Sequence, residues 1–154
     1  MVSNKVIFVF RSLRTTEPVE ELWQKLLKIE ADFEITISGK TVLRDADFNV
    51  VEFASAVSKW LAASDTQDFS FSTMEADDLD IVFFRRSNAH WLVGSTWGLV
   101  EGISVVGDDL RSALEYFIAQ VTSQCAVMLG VDVMDVVEVN RDKSRLRPSP
   151  RDAR

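Results

Sequence analysis

The chain has 154 residues, 47% of them hydrophobic and ten of them Phe, which is enough apolar material for one domain with a buried core. Six Gly and three Pro scattered along it exclude a collagen-like or low-complexity chain, and a single Cys excludes an internal disulfide framework or a thiolate zinc site. Of 17 basic and 24 acidic residues, six basic and two acidic lie from Arg141 onward, so residues 1–140 hold 11 against 22 and carry a net −11. Such a body repels phosphate backbones and anionic membranes and attracts basic partners, although acidity also serves solubility alone.

In chain order, "KVIFVFRSL" is rich in β-branched and aromatic residues and nearly continuous in apolar character, as expected of a central strand buried on both faces. Its apolar run, residues 6–10, is too short for a signal-peptide core or a membrane span, so the expected location is the cytoplasm. "TTEPVEELWQKLLKIEAD" sets Val19, Leu22, Trp23, Leu26 and Leu27 at helical spacing, with Thr16 as the expected N-cap and Pro18 in the first turn. In "ADFEITISGKTVLRD", Phe33, Ile35 and Ile37 alternate with polar residues and Ser38-Gly39-Lys40 supplies a turn, which predicts a hairpin with one wet face.

A second helix is expected from Asn49, with Glu52 three residues on completing a capping box and Val50, Phe53, Ala54, Val57, Trp60 and Leu61 facing the core. "DFSFST", the stretch through "DIVFFRRS" and "HWLVGSTWG" read as three strands of an antiparallel meander, and "EGISVVGDD" as a short fourth. Asp108 or Asp109 then caps a long helix carrying Leu110, Leu114, Phe117, Ile118, Val121 and Cys125 on one face, with Gly130 as the stop. The expected class is α+β, with an antiparallel sheet of about five to seven strands and about three helices packed mainly on one of its faces. Residues 1–130 form the domain, 131–140 an extra strand or extension, and 141–154 a basic tail expected to be disordered.

Chemistry is sparse in this pattern. There is no glycine-rich phosphate loop, no EF-hand spacing and no nucleophile elbow, and no cofactor or metal is expected. Glu75, Asp77, Asp78 and Asp80 offer a carboxylate-only Mg²⁺ site, but clustered acids in a turn are more commonly solvated or presented to a partner. The only histidine, His90, sits where a turn enters a strand; an enzyme would have to pair it with one of those carboxylates, in the manner of a small hydrolase. Cys125 reads as core rather than as a catalytic thiol. Arg85 and Arg86 occupy adjacent strand positions, point to opposite faces, and are expected to pair with the nearby acids. Trp97, between Gly94 and Gly98, is the tryptophan best placed to anchor an interface.

The stretch "FNVVEFASAVSKWLAASDTQDFSFSTMEADDLDIVFFRRSNAHWLVGS", with its acidic helix ending in Trp-Leu, aromatic strand and strand pair closing on Trp, resembles small acidic α+β immunity proteins of bacterial toxin systems, including contact-dependent growth inhibition. The resemblance covers residues 31–122 and carries over no catalytic residue. It implies a non-enzymatic domain that binds and neutralises a cognate toxin of basic surface, with no nucleic acid bound through the acidic body and no membrane. Glu75, Asp77, Asp78, Asp80 and Trp97 are then the expected partner contacts, and a regulatory homo-oligomer is the remaining alternative.

Overall fold

β1 (Val6–Thr15), β2 (Ile29–Ile37) and β3 (Lys40–Phe48) form a three-stranded antiparallel sheet in that order, and its register follows from side-chain alternation. Phe8 pairs with Ile35 and Ile35 with Leu43, so that their side chains share the buried face while Glu34 and Thr36 face water. The β2–β3 turn places Ser38 at φ 49° and Gly39 at φ 84°, the left-handed pair that a two-residue hairpin loop needs to match strand twist. This is the hairpin with one wet face that the alternation predicts. The computed structural model describes residues 4–63, 67–73, 80–98 and 100–137.

A second antiparallel sheet runs β4 (Phe69–Phe71), β5 (Val82–Ser87), β6 (His90–Gly94) and β7 (Ile103–Val106), again in chain order. The architecture is α+β with seven strands divided between the two sheets. Helix α2 (Val50–Ala62) packs on β2 and β4, and helix α3 (Gly107–Gln124) on β1, β6 and β7, so both helices rest on both sheets. The expected core stripes hold: Val50, Phe53, Ala54, Val57 and Leu61 of α2 and Leu110, Leu114, Phe117, Ile118 and Val121 of α3 are all buried. Trp60 is only part-buried, its indole N–H donating to the Gln67 carbonyl at 2.8 Å.

Several local expectations are corrected, first that of a central strand buried on both faces: β1 stands at the edge of its sheet and Ile7 is 43% exposed. Thr16 does not cap a helix, because β1 runs on to Thr15 and the Thr16 N–H joins the ladder's end by donating to the Lys28 carbonyl at 3.0 Å. The helix shrinks to α1 (Leu22–Leu27), capped by a Glu21–Gln24 box, and Leu22 and Trp23 stay 55% and 46% exposed. Asn49 and Glu52 make no capping box either. The Asn49 side-chain amide donates to the Leu27 carbonyl at 3.0 Å, satisfying the end of α1 instead of the start of α2, and the Glu52 carboxylate accepts from the Thr73 hydroxyl at 2.6 Å. Asp108 and Asp109 lie in the first turn of α3 behind its N-cap, Val106, where their negative charge complements the helix dipole.

α3 continues into a π-helical turn (Cys125–Leu129) that ends at Gly130 with φ 65°, so the predicted glycine stop is in place. Residues 131–137 then fold back as an extension rather than a strand: Val133 and Val137 are buried, and Ser55 and Ser58 of α2 donate to the Val136 and Val137 carbonyls at 2.8 and 3.1 Å. The expected tail at 141–154 lies outside the described residues.

Cys125 is fully buried, and the loss of water pushes its thiol from the ordinary 9.0 up to about 12. The folded protein therefore resists thiol reagents at pH 8 and reacts only once unfolded. Because the folded thiol keeps its proton longer than the unfolded one, this burial favours folding below pH 9.0, and the benefit is lost as pH rises towards about 12. The loss has a slope of up to about 1.4 kcal/mol per pH unit. Urea midpoints across that range, compared with Cys125→Ala, read out the slope; equal slopes in the two proteins would contradict it.

Candidate functional site

Asp80 enters β5 from a left-handed conformation, φ 57°, which a short side chain able to bond its own neighbourhood tolerates best. The Ser70 hydroxyl donates to Asp80 Oδ1, the Asp80 N–H donates to Ser72 Oγ at 3.2 Å, and the Arg85 guanidinium lies 3.5 Å from Oδ2. Its carboxylate is thus engaged with its own sheet, and Asp80 acts by holding a turn in position. Its carbonyl accepts the Thr96 N–H at 3.1 Å, which brings residues 95–98 alongside.

That segment is a tight turn of its own. The Trp97 N–H donates to Ser95 Oγ at 3.0 Å and the Gly98 N–H to the Ser95 carbonyl at 3.1 Å. Gly98 sits so near the first sheet that a Cβ there would come within 2.7 Å of the Val42 carbonyl oxygen. The close approach delivers Trp97, 38% exposed, to the junction of the two sheets.

At that junction a pocket of about 210 Å³ opens, with Trp97, Glu30, Asp45 and Asp47 around it and the buried Phe48, Phe71 and Ile81 beneath. Asp47 is shared with Arg14, 2.9 Å away, which also reaches Asp32 at 3.4 Å. Asp45 accepts the Asp47 N–H at 3.3 Å and makes no ion pair among the described residues, although Arg11 and Arg44 line a neighbouring pocket with it. A carboxylate of this kind next to an indole face over an apolar floor suits an incoming lysine or arginine side chain, whose stem can lie on the floor and whose head meets ring and carboxylate.

Of the five expected contacts, the structure brings Asp80 and Trp97 together; Glu75, Asp77 and Asp78 lie outside the described residues, in the segment joining Thr73 to Asp80. Thr73 itself lines the pocket. Sequence reasoning missed Glu30, Asp45 and Asp47. The signal was there in "RDADF", where two acids interrupt the apolar alternation just before Phe48.

His90 pairs with Ser87 at one end of the β5–β6 hairpin, while Asp80 precedes the other end, where Phe83 pairs with Gly94. At a strand rise of about 3.3 Å per residue the two are roughly 20 Å apart, so His90 cannot share a proton with Asp80. Arg85 spans the ring of Phe83 at 4.0 Å besides meeting Asp80, and Arg86 lies 5.7 Å from the ring centre of Trp91. Among the described residues no His, Cys, Asp and Glu cluster could hold a metal ion, and no helix is long and apolar enough to cross a membrane. No curated protein and no solved structure matches the chain. A family model does match, over residues 8–125, and by it the chain belongs to the family described as a domain of unknown function, DUF7878.

Proposed function

We propose that this chain is a non-enzymatic protein-binding domain of the immunity type, which in the cytoplasm binds a cognate bacterial toxin domain of basic surface and neutralises it. The observation that carries the reading is the pocket at the sheet junction, where Trp97 and the carboxylates of Glu30, Asp45 and Asp47 face one small cavity. A part-exposed indole edged by acids is the kind of group that becomes an anchor once an interface covers it, while the net −11 of residues 1–140 speeds the approach of a basic partner. The same field works against nucleic acid as the ligand of the body.

The test is co-purification with the protein encoded immediately upstream, together with survival of cells in which that protein is expressed as a toxin. Trp97→Ala and Asp45→Lys are each expected to weaken the complex at least tenfold, about 1.4 kcal/mol or more. Association should also slow as salt is raised, since the steering field is screened. No complex at micromolar concentration and no protection of the cells would defeat the proposal.

A further inference from the structure

Arg14 lies directly across the ladder from Glu30, one of the acids of the Trp97 pocket. One extra residue enters β1 between Arg11 and Arg14, with Ser12 left-handed at φ 57°, and such a bulge re-aims the side chain that follows it. From there the guanidinium collects oxygens from all three strands of the sheet. Nη1 donates to the Ser12 carbonyl at 2.8 Å and to Asp32 Oδ1 at 3.4 Å, while Nη2 donates to Asp47 Oδ1 at 2.9 Å and to the Ala46 carbonyl. A planar fork of fixed donors serves four acceptors at once, which the three donors of a lysine cannot.

Exposed ion pairs of this kind contribute little to stability, so the consequence of the clamp falls on the charge left at the pocket. Of the three acids around it, Asp47 is taken by Arg14 and Glu30 is already engaged. Asp45 makes no ion pair among the described residues: of the two arginines that share a neighbouring pocket with it, Arg44 is taken by Glu34 at 2.9 Å and Arg11 makes none. The pocket therefore offers one carboxylate to an incoming charge, over an apolar floor and beside an indole. Without Arg14, Asp47 would stand uncompensated at the rim with Asp32 behind it, and a second positive charge would find partners there.

We infer that Arg14 is a positioning residue that sets the charge selectivity of this pocket. By holding Asp47 it reserves Asp45 for a single positively charged head, so that the partner inserts one basic side chain and a dication gains little from its second charge. This assignment rests on the pocket being the anchor of the interface, as proposed above, and adds to it the residue that decides which cation fits.

The test is NMR of the full-length protein, following the Trp97 indole N–H during titration with butylamine, which carries one charge on a lysine-like stem, and with 1,4-diaminobutane, which carries two. In the wild-type protein butylamine should shift this signal saturably, and the diamine should bind less than about threefold more tightly. Arg14→Met should raise the ratio of diamine to monoamine affinity by about fivefold or more, and Arg14→Lys, which restores the charge, should bring it back to within about twofold of the wild type. A role confined to holding the end of the sheet together would lower both affinities and leave their ratio unmoved. Asp45→Asn should weaken butylamine binding about threefold or more beyond what Asp47→Asn does, and this comparison reads the same assignment if Arg14→Met fails to fold. An unchanged ratio in Arg14→Met, or equal losses in the two aspartate variants, would overturn the role of Arg14 while leaving the pocket as an anchor. Absence of any Trp97 response to millimolar butylamine in the wild-type protein would defeat both.

Discussion

Phe53→Ala is expected to destabilise the protein by about 3–5 kcal/mol, a large share of the total for a domain of this size. Phe53 is fully buried on α2 and its ring meets six other phenylalanines: Phe33, Phe48, Phe71 and Phe117 with centroids between 5.2 and 5.6 Å, and Phe69 and Phe8 at 6.1 and 6.2 Å. Those partners come from β1, β2, β3, β4 and α3, so one side chain fills the space where both sheets and the other long helix converge. Its removal leaves a cavity that no single element can collapse into, because each neighbour is fixed by its own strand or helix. Urea denaturation followed by circular dichroism reads the loss directly. Phe53→Leu retains most of the volume and should lose less than half as much; equal losses would show that shape rather than cavity volume controls this site.

Gly98→Ala is expected to lower stability by about 1–3 kcal/mol and to weaken partner binding as well. The added methyl would meet the Val42 carbonyl at 2.7 Å and the Ser95 carbonyl at 2.9 Å. Both are backbone atoms, one in a sheet and one in the turn itself, and neither can swing aside as a flexible side chain would. The turn must therefore lift from β3, and Trp97 moves with it. Comparison with Trp97→Ala separates position from contact: the tryptophan variant should lose binding with little change in stability, whereas the glycine variant should lose both. If Gly98→Ala kept full stability and full binding, the close packing of this turn would have no part in presenting Trp97.

Much of this was legible in the sequence wherever a residue's role depends on near neighbours in the chain. The two-residue alternation of Phe33, Ile35 and Ile37 dictated which face of β2 is buried, and the helical recurrence from Leu110 to Val121 did so for α3. The residues at 16–28 and at Asn49 misled because a local signal had a stronger distant competitor. The ladder with Ile29 extended β1 through Thr15, and the uncapped carbonyls of α1 drew the Asn49 amide away from its own helix. Trp97 was identifiable by its glycine-flanked context, but its companions were not, since Glu30, Asp45 and Asp47 are brought to it from another sheet.

The sequence by itself determined the α+β class, the faces of the main elements, the burial of Cys125 and the net −11 of residues 1–140. These follow from composition and from periodicities of two and 3.6 residues, which act within a single element. Only the tertiary structure decided that the strands divide into two sheets and that their junction sets a tryptophan over carboxylates distant in the chain. Those features depend on which strand edges find partners and on how closely backbones approach, as at Gly98 against Val42, and periodicity within one element carries no information about either.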